Sequence, residues 1–196
     1  MNVFNRSKTK FITNDYIEIY DNIITGDNCD SLIDKFESSK DIQVSGKVSD
    51  CDASSKILSS VKESTEITIS TKLLKDPQWN STLEPLFNGL YKSLKKYRKK
   101  YTRIIKNNIT GIDGIDMWQL SEGINFQKFE PTQGYKVWHC ENANEFTCNR
   151  VLTWMVYLND VPDGGTDFLN QGVTLDARLG RCVIWPPYWT HFHKSQ

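Results

Sequence analysis

The first part of the chain alternates between short apolar runs and long polar stretches. Residues 15–24 alternate well enough to predict a strand, and capping residues at 25–28 then predict a helix over 28–39. The apolar positions of this helix are Cys29, Leu32, Ile33 and Phe36. Residues 40–65, rich in Ser, Asp and Lys, predict a long loop, and the β-branched residues of 65–74 predict a strand.

The clearest helical pattern begins near residue 81. Ser81 followed by Glu84 matches the capping box of a helix N-terminus. Apolar residues follow at i, i+3 and i+4 spacing: Leu83, Leu86, Phe87, Leu90, Tyr91, Leu94 and Tyr101. Basic residues fill the last turns: Lys92, Lys95, Lys96, Arg98, Lys99, Lys100 and Arg103. They form either a patch for an anionic partner or a solvated face with cations favourable near a helix C-terminus, and we prefer the second interpretation.

From residue 123 the pattern changes to short strands, after a loop-like stretch at 111–122. A Pro-Asp-Gly-Gly sequence at 162–165 predicts a turn between two of them. The predicted strands are 124–129, 135–141, 150–158, 165–170, 173–175, 181–185 and the final His-x-His segment. Short strands broken by Gly, Pro and Asp indicate a double-sheet jelly roll or barrel. With helices first and strands after, the expected class is α+β, with the N-terminal helices packed against one sheet.

Composition and charge limit the kinds of protein that this chain is expected to be. The 196 residues predict one domain, 1–196, with mainly helical support and loops in 1–122 and a β-rich core in 123–196. Lys+Arg and Asp+Glu balance at 24 each, so charge predicts neither a nucleic-acid nor a membrane partner. The sequence holds no long apolar run and no apolar core near its polar start, so a cytoplasmic protein is expected. The five cysteines lack C-x-x-C spacing and predict reduced thiols.

All three histidines of the chain lie in its last third: His139, His191 and His193. Glu141 follows His139 by two residues, and side chains two apart on a strand point to the same face. A third ligand must then come from another strand, which explains the long gap to the late histidines. Two imidazoles and one carboxylate leave coordination positions open and suit non-haem Fe(II) that binds a cosubstrate and O₂.

The surroundings of these residues favour a metal site. Aromatic residues would make a partly dry pocket around an ion: Trp138, Tyr157, Trp185, Tyr188 and Trp189. The late histidines follow a Gly-Arg-Cys-Val-Ile-Trp-Pro run, typical of a buried strand. The alternative is a pair of core histidines with satisfied hydrogen bonds.

The segment from about residue 123 onward resembles the prolyl 4-hydroxylase-like branch of the Fe(II)/2-oxoglutarate-dependent dioxygenases. The matching elements are an aromatic residue before the first ligand (Phe129), Gly-Tyr before His-x-Glu (134–141), Arg-x-x-Thr-x-x-x-Tyr-Leu-Asn-Asp (150–160), Pro-Asp-Gly-Gly-Thr-x-Phe (162–168) and Gly-x-x-x-x-Trp-Pro (180–186) before the distal His. Their order and spacing together are specific. The resemblance implies a double-stranded β-helix (jelly roll), and it covers the helical part only in layout.

The resemblance implies a role for each matching residue. His139, Glu141 and a late histidine would bind Fe(II), with Glu141 standing where this branch usually has Asp. His193 is favoured over His191, because family members carry this histidine just before a short segment leading to the last strand. The residues implied for the cosubstrate 2-oxoglutarate are Tyr157, Thr153 and Phe129, and those for the substrate are Arg150 and Trp189. O₂ is the other implied cosubstrate, with ascorbate as a supporting reductant.

Two departures from the family pattern bear on the cosubstrate. Phe129 stands where the family usually has Tyr, so one hydrogen bond to 2-oxoglutarate is missing. The family also places a Lys or Arg about ten residues after the distal His, on a last strand that is expected to be missing from this sequence. The chain is then truncated or impaired, or it holds the distal carboxylate differently. The cations open to such recruitment are Arg178, Arg181 and Lys194.

The first hypothesis for function is therefore a 2-oxoglutarate-dependent dioxygenase that hydroxylates a C–H bond, with a prolyl residue in a peptide or protein as the implied substrate. The alternative is a catalytically silent, metal-binding β-sandwich that recognises a peptide or sugar, and the missing basic residue supports it. A zinc hydrolase with the same three ligands ranks below both, because no general base is evident beside the metal.

Overall fold

The structure, a computed structural model, describes residues 15–49, 55–101, 120, 123–142, 144–145 and 147–196. Its helices are α1 (Gly26–Ser38), α2 (Thr71–Leu74) and α3 (Pro77–Tyr101). Its strands are β1 (Glu18–Tyr20), β2 (Val44–Ser45), β3 (Val48–Ser49), β4 (Ser55–Lys56), β5 (Lys62–Glu63), β6 (Thr65–Ile69), β7 (Ile124–Lys128), β8 (Gly134–Tyr135), β9 (Thr153–Val156), β10 (Val161–Phe168), β11 (Val173–Ala177), β12 (Cys182–Trp185) and β13 (His193–Ser195).

Helix α1 confirms the predicted first helix, with its start two residues earlier. Thr25 is the N-cap, and its hydroxyl accepts a hydrogen bond from the Asn28 backbone N at 3.3 Å. Cys29, Leu32 and Phe36 are buried, as their helical spacing predicts. The strand predicted before it is present but is limited to β1.

Helix α3 begins earlier than the sequence suggests, and the predicted capping box is wrong. Asp76 supplies the cap, since its Oδ1 accepts from the backbone N of Gln78 at 2.8 Å and of Trp79 at 3.1 Å. Pro77 at the first helical position fits this start, because its missing N–H would have no partner there. Ser81 lies inside the helix, and its hydroxyl donates to the Gln78 carbonyl at 3.1 Å.

The inner face of α3 carries the predicted apolar stripe, with Trp79 and Tyr97 added and without Tyr91. Its buried side chains include Trp79, Leu83, Leu86, Leu90 and Tyr97. Tyr91, predicted for this face, is 65% exposed instead. The lysines of the last turns are exposed, as expected for a solvated helix face, and Arg103 lies outside the described residues.

The strands form antiparallel sheets in the described part of the chain. Three of the sheets have three strands, in the orders β1-β12-β9, β11-β10-β13 and β2-β6-β7. Pairs β3-β4 and β5-β8 give structure to the predicted long loop at 40–65. The strand predicted over 65–74 ends at Ile69, because Ser70 caps α2. The turn predicted at 162–165 does not separate two strands: these residues lie within β10, at an irregularity where the register shifts between Val161 and Thr166 and Asp163 has a φ of 56°.

Strand β12 lies at the centre of the described fold, and all of its residues are buried. Cys182 and Ile184 pack on Leu90 of α3, whereas Val183 and Trp185 share a second apolar cluster with Phe168 of β10. This alternation links the helix layer to the sheet that carries His193, and so fixes where the late histidines lie.

Two predictions from composition, on the cysteines and on membrane-spanning helices, can be compared with the described residues. Cys29, Cys140, Cys148 and Cys182 are free thiols, and Cys51 lies outside the described part. None of the described helices has the length and apolar character needed to cross a membrane.

Candidate metal centre

Three predicted ligand side chains converge at one point. The metal-binding atoms of His139, Glu141 and His193 all lie within 4.8 Å of one another. Glu141 Oε1 is 3.7 Å from His139 Nε2 and 3.5 Å from His193 Nε2. Within the described residues this is the one cluster of three His, Cys, Asp or Glu side chains with such geometry. The donor set of two imidazoles and one carboxylate fits a divalent metal such as Fe(II).

The two histidines face each other across an isolated β-bridge. His139 N donates to the His193 carbonyl at 3.0 Å, and His193 N donates to the His139 carbonyl at 3.0 Å. Directly opposite residues in an antiparallel pair bring their side chains together on one face. Glu141 is anchored separately, by its backbone N donating to the Pro187 carbonyl at 3.0 Å. The strand predicted over 135–141 therefore forms only at β8. The bridge between His139 and His193, instead of a continuous strand, brings the two imidazoles together.

Backbone carbonyls orient both imidazoles. His139 Nδ1 lies 3.0 Å from the Val137 carbonyl, and His193 Nδ1 lies 2.9 Å from the His191 carbonyl. A carbonyl can only accept, so each Nδ1 carries a proton, and in the neutral form of each imidazole the lone pair lies on Nε2, on the side of Glu141. Such partners fix the tautomer that a metal ligand needs.

His191 lies elsewhere. Its Nε2 contacts the Asp15 carbonyl at 2.7 Å and its Nδ1 contacts the Thr190 hydroxyl at 2.8 Å. The residue is buried at the end of a 3-10 turn, Trp189–His191, so it does not share a strand face with His193. The structure brings His193 to the cluster and leaves His191 in a structural position.

The electrostatics of the cluster favour the metal-binding protonation states. Burial, with a contribution from His193, lowers the pKa of His139 to about 4, against the opposing charge of Glu141. Burial alone would raise the pKa of Glu141, but contact with His193 and the charges of His139 and Arg150 outweigh burial, and the net pKa is lowered. At neutral pH His139 is thus neutral and Glu141 ionised, the forms that bind metal.

Aromatic rings enclose the imidazoles. Tyr135 stacks on His139 with 3.4 Å between ring centroids and an interplanar angle of 10°. Trp185 and Phe168 lie against His193 with centroid distances of 5.1 and 5.6 Å. The sequence predicts Trp185 among the aromatic residues around the site, whereas Tyr135 is predicted only as part of the Gly-Tyr motif. Its place four residues before His139 was the signal that could have identified it.

A buried ion pair lies beyond Tyr135. Lys62 is the cross-strand partner of Tyr135, and its Nζ lies 5.7 Å from the tyrosine ring centroid. The same Nζ contacts Glu66 Oε1 at 2.5 Å, and Ser64 and Gln127 also donate to that oxygen. This network was not predictable from the sequence, because Gln127 comes from β7 and only the fold brings it to Glu66 of β6.

The residues predicted to contact 2-oxoglutarate fall in different settings. Tyr157 is half-buried, its hydroxyl is 2.7 Å from the Thr166 hydroxyl, and burial raises its pKa to about 12. Thr153 lies on β9 directly opposite Trp185. Phe129 follows β7 and is 42% exposed, so its ring is the least enclosed of the three.

The residues predicted to contact substrate also differ from each other. Trp189 is 69% exposed on the 3-10 turn. Arg150 contacts the cluster of predicted ligand side chains directly. Its Nη1 lies 3.3 Å from Glu141 Oε2 and 3.0 Å from the Glu141 carbonyl.

The cations open to recruitment for the distal carboxylate all have protein partners. Arg181 is buried and pairs with Asp21 through two hydrogen bonds, of 2.6 and 3.0 Å. Arg178 pairs with Asp176 at 3.0 Å. The Lys194 Nζ lies 5.0 Å from the ring centroid of Trp138.

Solved structures with the same fold are prolyl hydroxylases. A viral collagen prolyl hydroxylase from Paramecium bursaria Chlorella virus-1, in complex with 2-oxoglutarate, is 15% identical, with a TM-score of 0.56 over 95% of this chain and 91% of that chain. A Trichoplax adhaerens prolyl hydroxylase, in complex with a hypoxia inducible factor peptide fragment, is 14% identical, with a TM-score of 0.64 over 94% and 79%. A Pseudomonas putida prolyl-4-hydroxylase is 12% identical, with a TM-score of 0.60 over 94% and 87%.

These likenesses show the fold. The sequence itself matches no protein-family model and no curated protein sequence. The likeness to prolyl hydroxylases that the motifs imply is confirmed for the fold. The fold is a mixed structure of helices and antiparallel sheets.

Proposed function

We propose that this chain is an Fe(II)/2-oxoglutarate-dependent dioxygenase that hydroxylates a C–H bond, with a prolyl residue in a peptide or protein as its target. The observation that carries the proposal is that His139 Nε2 and His193 Nε2 lie 3.7 and 3.5 Å from Glu141 Oε1, with the three ligand atoms within 4.8 Å of one another. Three protein ligands on one side leave room for a chelating cosubstrate and O₂. The prolyl hydroxylase fold supports the same reaction class, and its sheets are proposed to form a double-stranded β-helix around this centre.

The protein's own contribution is binding, orientation and exclusion of water. Fe(II), when bound, supplies the centre at which O₂ is reduced with electrons from the 2-oxo acid and the substrate C–H bond. His139, Glu141 and His193 hold the ion, and their backbone partners fix their orientation. The rings of Tyr135, Phe168 and Trp185 shield the imidazoles from water. We assign the cosubstrate wall to Tyr157, Thr153 and Phe129.

A peptide substrate is proposed on the chemistry of the exposed surface and the names of the fold relatives. Three exposed aromatic residues are near the ligands in sequence. Trp138 directly precedes His139, and Tyr188 and Trp189 lie at the start of the turn before His193. Aromatic rings pack well on proline, whose own ring is apolar and rigid. The structurally similar enzymes are named as prolyl hydroxylases, one of them in complex with a peptide.

The test is succinate formation by the purified protein with Fe(II), ascorbate, 2-oxoglutarate and proline-containing peptides. We expect succinate from the wild type and none from His139→Ala, because His139 is a ligand. His191→Asn should retain turnover, since His191 lies outside the cluster. Equal succinate from His139→Ala and wild type would overturn the proposal.

A second candidate is a metal-binding protein without oxygenase activity. It is favoured by the partners already held by Arg178, Arg181 and Lys194, which leave the distal carboxylate of 2-oxoglutarate without an assigned anchor. The discriminating measurement is the melting temperature with metal, with and without N-oxalylglycine, an analogue of 2-oxoglutarate. A rise in melting temperature supports the dioxygenase, because a ligand that binds only the folded state stabilises it. Metal binding without that rise supports the second candidate.

A further inference from the structure

Arg150 contacts the metal carboxylate in an unusual way. Its Nη1 donates to the Glu141 backbone carbonyl at 3.0 Å and to the side-chain oxygen Oε2 at 3.3 Å. One nitrogen thus ties the side chain of Glu141 to its own backbone. The other carboxylate oxygen, Oε1, is the one that lies 3.7 Å from His139 Nε2 and 3.5 Å from His193 Nε2. The two oxygens of Glu141 therefore have separate partners.

The arginine is itself fastened beside the glutamate. Its backbone N donates to the Thr147 carbonyl at 3.0 Å. Asn142 Nδ2 donates to the carbonyl of Cys148 at 3.2 Å, with a longer contact of 3.5 Å to the carbonyl of Arg150. Asn142 N donates to the Pro187 carbonyl at 2.9 Å, next to the Glu141 anchor. The segment that ends at Arg150 is held to the backbone that carries Glu141.

A glutamate ligand creates a need for such a contact. Glu has one more rotatable bond than Asp, and a carboxylate can bind a metal through one oxygen or through both. Binding through both oxygens would occupy a further coordination position. A centre that must also take a chelating 2-oxo acid and O₂ needs three open positions, so the carboxylate must use one oxygen only.

We propose that Arg150 is a positioning residue that holds Glu141 Oε2 away from the metal, so that Glu141 binds through Oε1 alone. The proposal rests on the proposed function in one respect, the assignment of His139, Glu141 and His193 as metal ligands. It gives Arg150 a different role from the substrate contact that the family resemblance implies.

The test is titration of the metal-free protein with Co(II), which replaces Fe(II) without air oxidation and has an absorption spectrum that responds to coordination number. The variants are Arg150→Gln, Arg150→Lys, Glu141→Asp and the double variant Arg150→Gln with Glu141→Asp. Lys128→Gln is the matched control, because Lys128 pairs with Glu37 at 2.7 Å and is 38% exposed, against 41% for Arg150. Circular dichroism and the melting temperature check that each variant is folded.

We expect Arg150→Gln to shift the Co(II) spectrum towards a higher coordination number, because Oε2 is then free to bind. We also expect it to weaken Co(II) binding by about tenfold, because Glu141 loses the contact that orients Oε1. Arg150→Lys should recover part of the affinity, because it keeps the charge. In the Glu141→Asp background, Arg150→Gln should change affinity by no more than about twofold, because the shorter carboxylate has already lost the arginine. Lys128→Gln should match the wild type.

Three outcomes would overturn the proposal in distinguishable ways. Tight Co(II) binding by the wild type with no difference between Arg150→Gln and Lys128→Gln would remove the role of Arg150 and leave the metal centre intact. An equal loss with and without Glu141→Asp would show that Arg150 does not act through Glu141. Absence of Co(II) binding by the wild type would overturn the metal centre and this role together.

Discussion

Both imidazoles of the candidate centre are held by the backbone carbonyl two residues earlier, Val137 for His139 and His191 for His193. This local arrangement turns each Nε2 towards Glu141. It also separates the two late histidines, since His191 supplies its carbonyl to the site while its ring binds Asp15 and Thr190.

Replacement of the late histidines should therefore have different effects. His193→Ala should abolish Co(II) binding, because it removes a ligand. His191→Ala should retain binding but lower the free energy of unfolding by about 1–3 kcal/mol, since the buried ring loses its contact with the Asp15 carbonyl. Metal titration and urea unfolding measure the two quantities. Loss of metal binding in His191→Ala with retention in His193→Ala would reverse the assignment.

Acidification should destabilise the metal-free protein. The pKa of His139 is about 4 in the folded state and 6.5 for the unperturbed side chain, so below 6.5 the unfolded state takes up a proton that the folded state does not. Stability should therefore fall as the pH drops from 6.5 towards 4, by up to about 3 kcal/mol. Urea unfolding at pH 7.5, 6 and 5 measures it, with His139→Asn as control. A slope that is unchanged in that variant would contradict the assignment to His139.

Much of the site was predictable at this scale. His139 and Glu141 follow from His-x-Glu spacing, and the late histidines from their count. The choice between His191 and His193 depends on where the 3-10 turn ends. From the sequence alone, only the family resemblance favours His193. The contact of Arg150 with Glu141 is supported by the hydrogen bonds of Asn142 to the carbonyls of Cys148 and Arg150, which no spacing rule predicts.

At the scale of elements, α3 owes its start to Asp76 rather than to Ser81. Asp76→Ala should lower the free energy of unfolding by about 1 kcal/mol, because two backbone N–H groups lose their acceptor. Ser81→Ala should change it by less than about 0.5 kcal/mol, because that hydroxyl makes no cap. Thermal or urea unfolding of the two variants decides between them, and a larger cost at Ser81 would restore the capping box.

The helices were easier to predict than the strands. The stripe of Leu83, Leu86 and Leu90 has a period that only a helix satisfies, whereas β8 and β13 are too short to show any period. The Gly-Gly sequence at 164–165 illustrates the limit. It has the composition of a turn, yet it lies in β10, where Gly165 passes so close to the Leu175 carbonyl that a Cβ would lie 1.9 Å from it. Close packing of two strands explains the glycine, and only the fold reveals that packing.

For the molecule as a whole, the β12 strand connects the helix layer to the sheet that carries the site. Phe168 of β10 is the register partner of His193 and packs edge-on against Trp185 of β12. The two long helices and the combination of helices with antiparallel strands were predictable from the sequence. The pairing of distant strands was not, because it depends on contacts between segments far apart in the chain.

The function proposed for this chain is 2-oxoglutarate-dependent oxygenation. Its most direct test is turnover under ¹⁸O₂ with Fe(II), 2-oxoglutarate, ascorbate and a proline-containing peptide, followed by mass spectrometry of succinate and peptide. We expect one ¹⁸O atom in succinate and one in the hydroxylated peptide, with neither in the His139→Ala variant. Unlabelled succinate, or labelled succinate in equal amount from His139→Ala, would contradict it.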